Sequence, residues 1–211
     1  MANKATKIVL VSLLVCSAGM IFFLLSFGTG NWLQPNANDN QGFLSLGLWE
    51  ACFRSWRYYK DPTQNVYDGC RWMLSSDFDA IREWIWPSWL RGVQGIMCVS
   101  LILQIFVIIG YVIVMFHMLR QKFIFITLLI TAGINFISAF LCFVSLIVFH
   151  TKALNDLRWV ENEEKHNQGW SFYILIPAIV CFVISGLTTI MAARRFRRDA
   201  NDRPRAIPYR S

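Results

Sequence analysis

The 211-residue sequence predicts an α+β membrane protein, in which a four-helix transmembrane bundle carries a small antiparallel β-sheet. Three observations predict this fold class. Four long apolar runs contain no charged residue, basic residues concentrate on one side of those runs, and the segment after the first run alternates in polarity around two cysteines. Only 16% of the residues are charged, against about 25% in a typical soluble domain.

Each apolar run is long enough to cross a bilayer. The runs cover residues 8–27, 93–118, 123–149 and 170–193. A hydrocarbon core about 30 Å thick needs about 20 helical residues, and a backbone in lipid must satisfy its own hydrogen bonds, so each run is predicted to be a helix. The first run could instead be a cleaved signal peptide, but the apolar part of such peptides is only about 7–15 residues long, which favours a retained span.

The distribution of lysine and arginine predicts the orientation. The side that carries both termini holds eleven basic residues and two acids, whereas the opposite side holds nine basic residues and eleven acids. Because cytoplasmic flanks carry the excess of Lys and Arg, we expect a multi-pass plasma-membrane protein with both termini in the cytoplasm. The basic tail, 194–211, is expected to contact anionic membrane lipid rather than nucleic acid. This orientation predicts two extracellular loops, 28–92 and 150–169. The whole chain, 1–211, is expected to form one tetraspan domain.

The first extracellular loop contains the elements of the predicted sheet. "FLSLGLW", residues 43–49, alternates so that its leucines share a face, and "DPTQN" and "DG" further along favour turns. Cys52 and Cys70 lie in this loop, where an oxidising compartment favours a disulfide over two free thiols. In "SSDFDAIREWIW" the polarity changes to a helical period, which predicts a short helix with Ser76 as its N-cap.

Several of these residues together resemble the W–GLW–C–C–R signature of the claudin superfamily, which also includes the peripheral myelin and calcium-channel gamma-subunit groups. They are Trp32, Gly47, Leu48, Trp49, Cys52, Cys70 and Arg91. The resemblance covers the whole chain, since four spans, a large first outer loop and a short second one recur in that family. It implies a claudin-like fold, with a five-stranded extracellular sheet standing on the bundle and the signature tryptophans wedged between the two.

Some features depart from the vertebrate pattern. Seventeen residues separate the two loop cysteines, so the hairpin 53–69 is expected to be longer than in most claudins. The sequence ends in "IPYRS" rather than a hydrophobic residue, so binding to a PDZ scaffold is not expected. Neither outer loop contains an N-x-S/T sequon. These departures resemble divergent invertebrate claudin-like proteins of septate junctions more than tight-junction claudins.

Neither catalysis nor transport is expected. His166 lies near Glu163 and Glu164, but "ENEEKH" is more typical of a solvated charged loop than of a zinc site. We expect no catalytic residue, cofactor or metal. The spans contain no charged residue of the kind that marks an ion pathway.

Interaction remains as the function. We expect a junction protein of lateral cell contacts that forms or organises the paracellular barrier, tight or septate, by contacting itself or other claudin-like proteins in cis and trans. The first loop carries six basic and seven acidic residues, a balance that favours a barrier over a charge-selective pore. The candidate contact patch, whose alternative is a solvated hairpin, comprises Arg54, Trp56, Arg57, Tyr58, Tyr59 and Lys60.

Two other functions fit the same sequence features. The protein could be an auxiliary subunit that binds a channel or receptor in its own membrane, as the calcium-channel gamma group does. It could also be a tetraspan protein of membrane traffic or lipid organisation. An auxiliary subunit needs a partner in cis and no cell contact, so the presence of a cell-contact phenotype separates it from a junction protein.

Overall fold

Four long helices form the body of the molecule. The computed structural model describes residues 4–35, 42–58, 61, 64–116, 121–155 and 166–201. The long helices are α1 Lys4–Gly28, α3 Ser88–Met115, α4 Gln121–Asn155 and α5 Trp170–Asn201, and each is long and apolar enough to cross a membrane. A 3-10 helix, Ser76–Ile81, leads into the short helix α2, Arg82–Ile85. The predicted four-helix bundle is therefore confirmed.

Most ends of the helices lie beyond the predicted spans, although α3 ends at Met115, inside the predicted span 93–118. α3 begins five residues before the predicted start of its span, directly after Pro87, and α4 continues to Asn155, inside the segment predicted as the second outer loop. The apolar run marks only the part that suits lipid, whereas the end of a helix depends on local capping and backbone conformation. As a result, the bundle carries helical turns into the region where it meets the sheet.

A chain of buried polar side chains crosses the bundle and links all four long helices. Tyr111 on α3 lies at its centre, with its hydroxyl 2.8 Å from Ser185 Oγ on α5 and 3.2 Å from Asn135 Nδ2 on α4. Gln104 Nε2 donates to Asn135 Oδ1 over 3.5 Å, and the Cys16 thiol of α1 donates to Gln104 over 3.3 Å. All five side chains are buried. Such bonds favour one register of the helices over others, because a polar group left alone among lipid chains is costly.

Replacing Asn135 with leucine tests this network. We expect Asn135→Leu to lower the free energy of unfolding by about 1–2 kcal/mol, because Gln104 and Tyr111 each lose a hydrogen-bond partner. Thermal unfolding in detergent micelles measures the change. Thr127→Val on the same helix is the control, since that exposed hydroxyl bonds only to its own helix, at Phe123 O. Equal stability of the two variants would show that the network contributes nothing.

The sheet has five antiparallel strands, which confirms the architecture implied by the claudin resemblance. The strands are β1 Leu33–Pro35, β2 Phe43–Leu46, β3 Glu50–Arg57, β4 Val66–Trp72 and β5 His166–Gln168. Their order across the sheet is β4-β3-β2-β1-β5. The last strand comes from the second loop and pairs with β1, so the two loops form one sheet. A single buried cluster runs from the sheet into the bundle and joins the two layers.

Two local predictions differ from the structure. β2 ends at Leu46, and Gly47 N donates to Glu50 O over 2.9 Å, so "GLW" forms the tight turn between β2 and β3 instead of extending the strand. The cap of the 3-10 helix is Ser75 rather than Ser76, because Ser75 Oγ accepts from the backbone N–H of Asp77. Phe78, Ile81 and Ile85 are buried beyond it.

Candidate interaction surface on the sheet

Trp32 connects the sheet to three helices. Its side chain is fully buried, and Nε1 donates to the carbonyl of Ser26 near the end of α1 over 2.7 Å. The indole packs edge-on against Phe149 of α4, with ring centroids 4.8 Å apart, and against Phe172 of α5 at 5.8 Å. Its backbone pairs with Leu46 O. Trp32 is therefore placed as an anchor and is not available to a partner.

The turn formed by Gly47, Leu48 and Trp49 lies directly on the end of α1. A Cβ atom at Gly47 would lie 2.4 Å from Gly30 Cα, so only glycine permits this approach of the two backbones. Leu48 is fully buried beyond the turn. Trp49 is half-buried and packs on Phe27 of α1, with ring centroids 5.2 Å apart. Leu48 O also accepts a hydrogen bond from Gln94 Nε2 of α3, so the triplet fixes the sheet against the bundle both by shape and by hydrogen bonding.

The disulfide predicted for the first loop is present. Cys52 on β3 and Cys70 on β4 face each other across the ladder, and their sulfurs are bonded. The bond closes a hairpin whose ladder shifts register between Phe53 and Trp56. Because β4 has β3 as its strand partner, the disulfide covalently holds the outermost strand of the sheet.

A family model for PMP-22/EMP/MP20/Claudin tight junction proteins matches residues 17–190, which is most of the chain. The protein belongs to this claudin family. No curated protein is similar enough to the chain to be matched with it. Membership supports a multi-pass membrane protein of cell junctions that contacts claudins in cis and trans, with a structural role rather than a catalytic one.

Arg91, the last signature residue, lies in the first turns of α3 in this claudin-family chain. Its side chain is exposed, and the guanidinium carbon lies 5.4 Å from the centroid of the Trp86 ring. An arginine over an indole face is held by the negative charge of the ring face. The contact between Arg91 and Trp86 therefore stabilises the segment that leads from α2 into α3, close to the predicted membrane boundary.

The predicted contact patch divides into two groups. Trp56 and Tyr58 are half-buried and pack on Trp84, the first stacked and the second tilted, with ring centroids 5.0 Å away in each case. Arg54 and Arg57 are exposed on the same strand. Tyr59 and Lys60 lie outside the described residues. The aromatic members therefore support the hairpin by packing on Trp84, whereas the two arginines face solvent.

A buried acid braces the turn of this hairpin. Asp61 accepts from the hydroxyl of Tyr67 over 2.8 Å and from the backbone N–H of Asn65 over 3.3 Å. Burial and this hydrogen bond raise the pKa of Tyr67 to about 12. The hydroxyl therefore stays protonated and donates at neutral pH. Sequence reasoning missed the pair, although the turn residues that place Asp61 beside β4 were visible.

Ion pairs neutralise other arginines of the sheet region. Arg71 on β4 pairs with Asp77, and Arg82 on α2 pairs with Asp79. The hydrogen bond from Arg71 lowers the pKa of the Asp77 carboxyl. Among the described residues, neither Arg54 nor Arg57 forms an ion pair, and no group of three or more His, Cys, Asp or Glu side chains is arranged to hold a metal ion.

The β4 strand forms one edge of the sheet and exposes apolar side chains. Val66 at its start is 49% exposed, Trp72 at its end is 55% exposed, and Leu74 just beyond it is 47% exposed. Of the strands that the structure describes, only β3 pairs with β4. Sequence reasoning did not single out these residues, because their exposure depends on the order of strands in the sheet.

Proposed function

We propose that this protein forms or organises the paracellular barrier of an occluding or septate junction, at lateral cell contacts, with its sheet outside the cell. Its family supports a junction protein in general terms. The observation that carries the finer proposal is the β4 edge, which is seven residues long and apolar at both ends.

An edge strand with free backbone N–H and C=O groups can add a strand from a neighbouring chain. If the neighbour is a second copy in the same membrane, β4 supplies the cis contact, and the exposed Trp72 and Leu74 lie beside it to bury apolar surface. Soluble monomers usually blunt such edges with charges or prolines. β4 contains no proline, and of its two charged residues, Asp68 and Arg71, the arginine is paired with Asp77.

In this proposal, the solvent-facing members of the contact patch contact the opposing cell in trans. Arg54 and Arg57 are exposed on β3, while Trp56 and Tyr58 hold that strand in place. Two guanidinium groups that form no ion pair with any described residue suit carboxylates of a protein on the opposing cell. The near balance of charge over the whole first loop favours a seal over a pore lined by one sign of charge.

Tracer leakage between the cells of an epithelial sheet tests the barrier itself. Removing the protein should raise leakage, and the protein should concentrate at lateral contacts. An intact seal after its removal, in cells that express no relative, would contradict the proposal and favour the auxiliary-subunit alternative.

Val66→Lys tests the role of the edge. We expect the variant to fold and reach the cell surface, since Val66 is half exposed. The epithelial sheet should nevertheless leak as much as one without the protein, because a lysine on an edge strand opposes strand addition. Val66→Thr is the matched control, because threonine keeps the β-branched shape and adds no charge. Normal sealing by Val66→Lys would show that copies do not associate through β4.

A further inference from the structure

A cleft lies where the sheet meets the outer ends of two helices. Its volume is about 450 Å³. The flanking helices, α1 and α3, contact each other far less than the other neighbouring helices of the bundle do. The cleft is lined by Phe27, Gly28, Trp49, Glu50, Trp72 and Cys98.

The lower part of the cleft suits a lipid chain. Phe27 and Gly28 are the last residues of α1, and Cys98 lies in the first half of α3, so this part borders two membrane-spanning helices. A Cβ atom added at Gly28 would meet no atom within 4 Å, which shows that the space beside α1 is open. At this depth the surrounding medium is the leaflet on the sheet's side of the membrane.

The upper part of the cleft carries an acid whose position is fixed by the backbone. Glu50 pairs directly with Trp72 across the β3–β4 ladder. Its carboxylate lies over Gly30, where a Cβ atom would fall 2.1 Å from Oε1. The side chain is half-buried, and among the described residues no basic group pairs with it. A partly buried carboxylate without a partner favours a cation beside it.

Two indoles line the same cleft as this carboxylate. The rings of Trp49 and Trp72 are 6.0 Å apart and inclined by 32°, and Trp72 remains 55% exposed. Indole faces attract cations, and quaternary ammonium groups are recognised by aromatic side chains in this way. A carboxylate beside indoles, above an apolar cleft, therefore matches a lipid that ends in a quaternary ammonium group. A sterol would leave the carboxylate without a counter-charge.

We propose that this cleft binds a phosphocholine lipid from the leaflet on the sheet's side of the membrane. The trimethylammonium group lies beside Glu50 and Trp72, and an acyl chain lies along Phe27, Gly28 and Cys98. The lipid fills the gap between α1 and α3 and supports the end of β4 from below. Its role is to hold the sheet at a fixed inclination to the bundle.

Lipid binding to the purified full chain tests the proposal. The protein is stripped of lipid in maltoside micelles, and bound lipid is counted by native mass spectrometry after titration with dioctanoyl phosphatidylcholine. Dioctanoyl phosphatidylglycerol, free phosphocholine and cholesterol serve as comparison ligands. We expect the choline lipid to bind in preference to all three. Glu50→Gln should weaken its binding about tenfold by removing the charge, and Gly28→Leu should abolish it by filling the cleft.

Two controls match these variants. Glu83→Gln removes the same charge from an exposed site on α2, and Gly92→Leu adds the same side chain at an open position of α3 that does not line the cleft. Both should bind as the unchanged protein does, and thermal unfolding should show that all four variants fold. The proposal would be overturned if phosphatidylglycerol or free phosphocholine bound as tightly as the choline lipid, or if cholesterol displaced that lipid. It would also be overturned if Glu50→Gln bound the choline lipid fully. The assay requires no junction, so it is independent of barrier function.

Discussion

Trp32→Ala is expected to lower the free energy of unfolding by about 3–5 kcal/mol, the range measured when a buried aromatic side chain is truncated. The indole is fully buried and touches both Phe149 and Phe172, and its N–H bonds to Ser26 O. Removing it opens a cavity at the point where the sheet meets α1, α4 and α5. A domain with a total stability of about 5–15 kcal/mol tolerates such a loss poorly, so most of the variant should be retained inside the cell.

Two further variants separate packing from hydrogen bonding. Trp32→Phe keeps most of the ring volume and loses the bond to Ser26, so it should cost about 1–3 kcal/mol. Trp49→Ala should cost less than Trp32→Ala, because Trp49 is only half-buried. Thermal unfolding in micelles and the surface fraction in cells measure both. A Trp32→Ala protein that is stable and at the surface but does not seal would make Trp32 a contact residue instead of an anchor.

The spans and the disulfide could be predicted because each depends on a local property. A charge-free run of about 20 residues leaves a backbone in lipid no alternative to a helix. Cys52 and Cys70 were the only cysteines outside such runs. The location of the sheet between the first two spans followed from alternation and turn residues in the same way.

The remaining features depend on contacts between distant parts of the chain. β5 has three residues and is a strand because Gln168 pairs with Leu33, a contact that no local pattern encodes. The alternation of "FLSLGLW" predicted a strand through Leu48, but the approach of Gly47 to Gly30 turns the chain at that point. Trp56 stays a predicted contact residue, but its stacking on Trp84, which follows it by 28 positions, is a contact that no local pattern encodes.

Cys52→Ser is expected to cost about 3 kcal/mol, the usual effect of opening a loop of this size. The strand β4 lies at the edge of the sheet, so without the disulfide it is held by its ladder with β3 and by buried contacts such as Phe53 with Tyr67. If the strand separates from β3, buried side chains such as Phe53 and Tyr67 become exposed to the folding machinery of the cell. We expect the variant to remain in the endoplasmic reticulum and the cell sheet to leak as it does without the protein.

The remaining thiol provides the way to separate loss of the cross-link from mispairing. Cys52→Ser leaves Cys70 free to form a wrong disulfide, whereas the double variant Cys52→Ser/Cys70→Ser leaves no thiol in the hairpin. If the cross-link itself matters, the double variant should fail to reach the surface, as Cys52→Ser does. If mispairing alone causes the defect, the double variant should reach the surface normally. Cys181→Ser, which removes a free thiol within α5, should leave surface labelling and the unfolding temperature unchanged. Normal surface labelling and sealing by the double variant would show that the disulfide is dispensable, and the stability of the β4 edge would then rest on the aromatic stack beneath the hairpin.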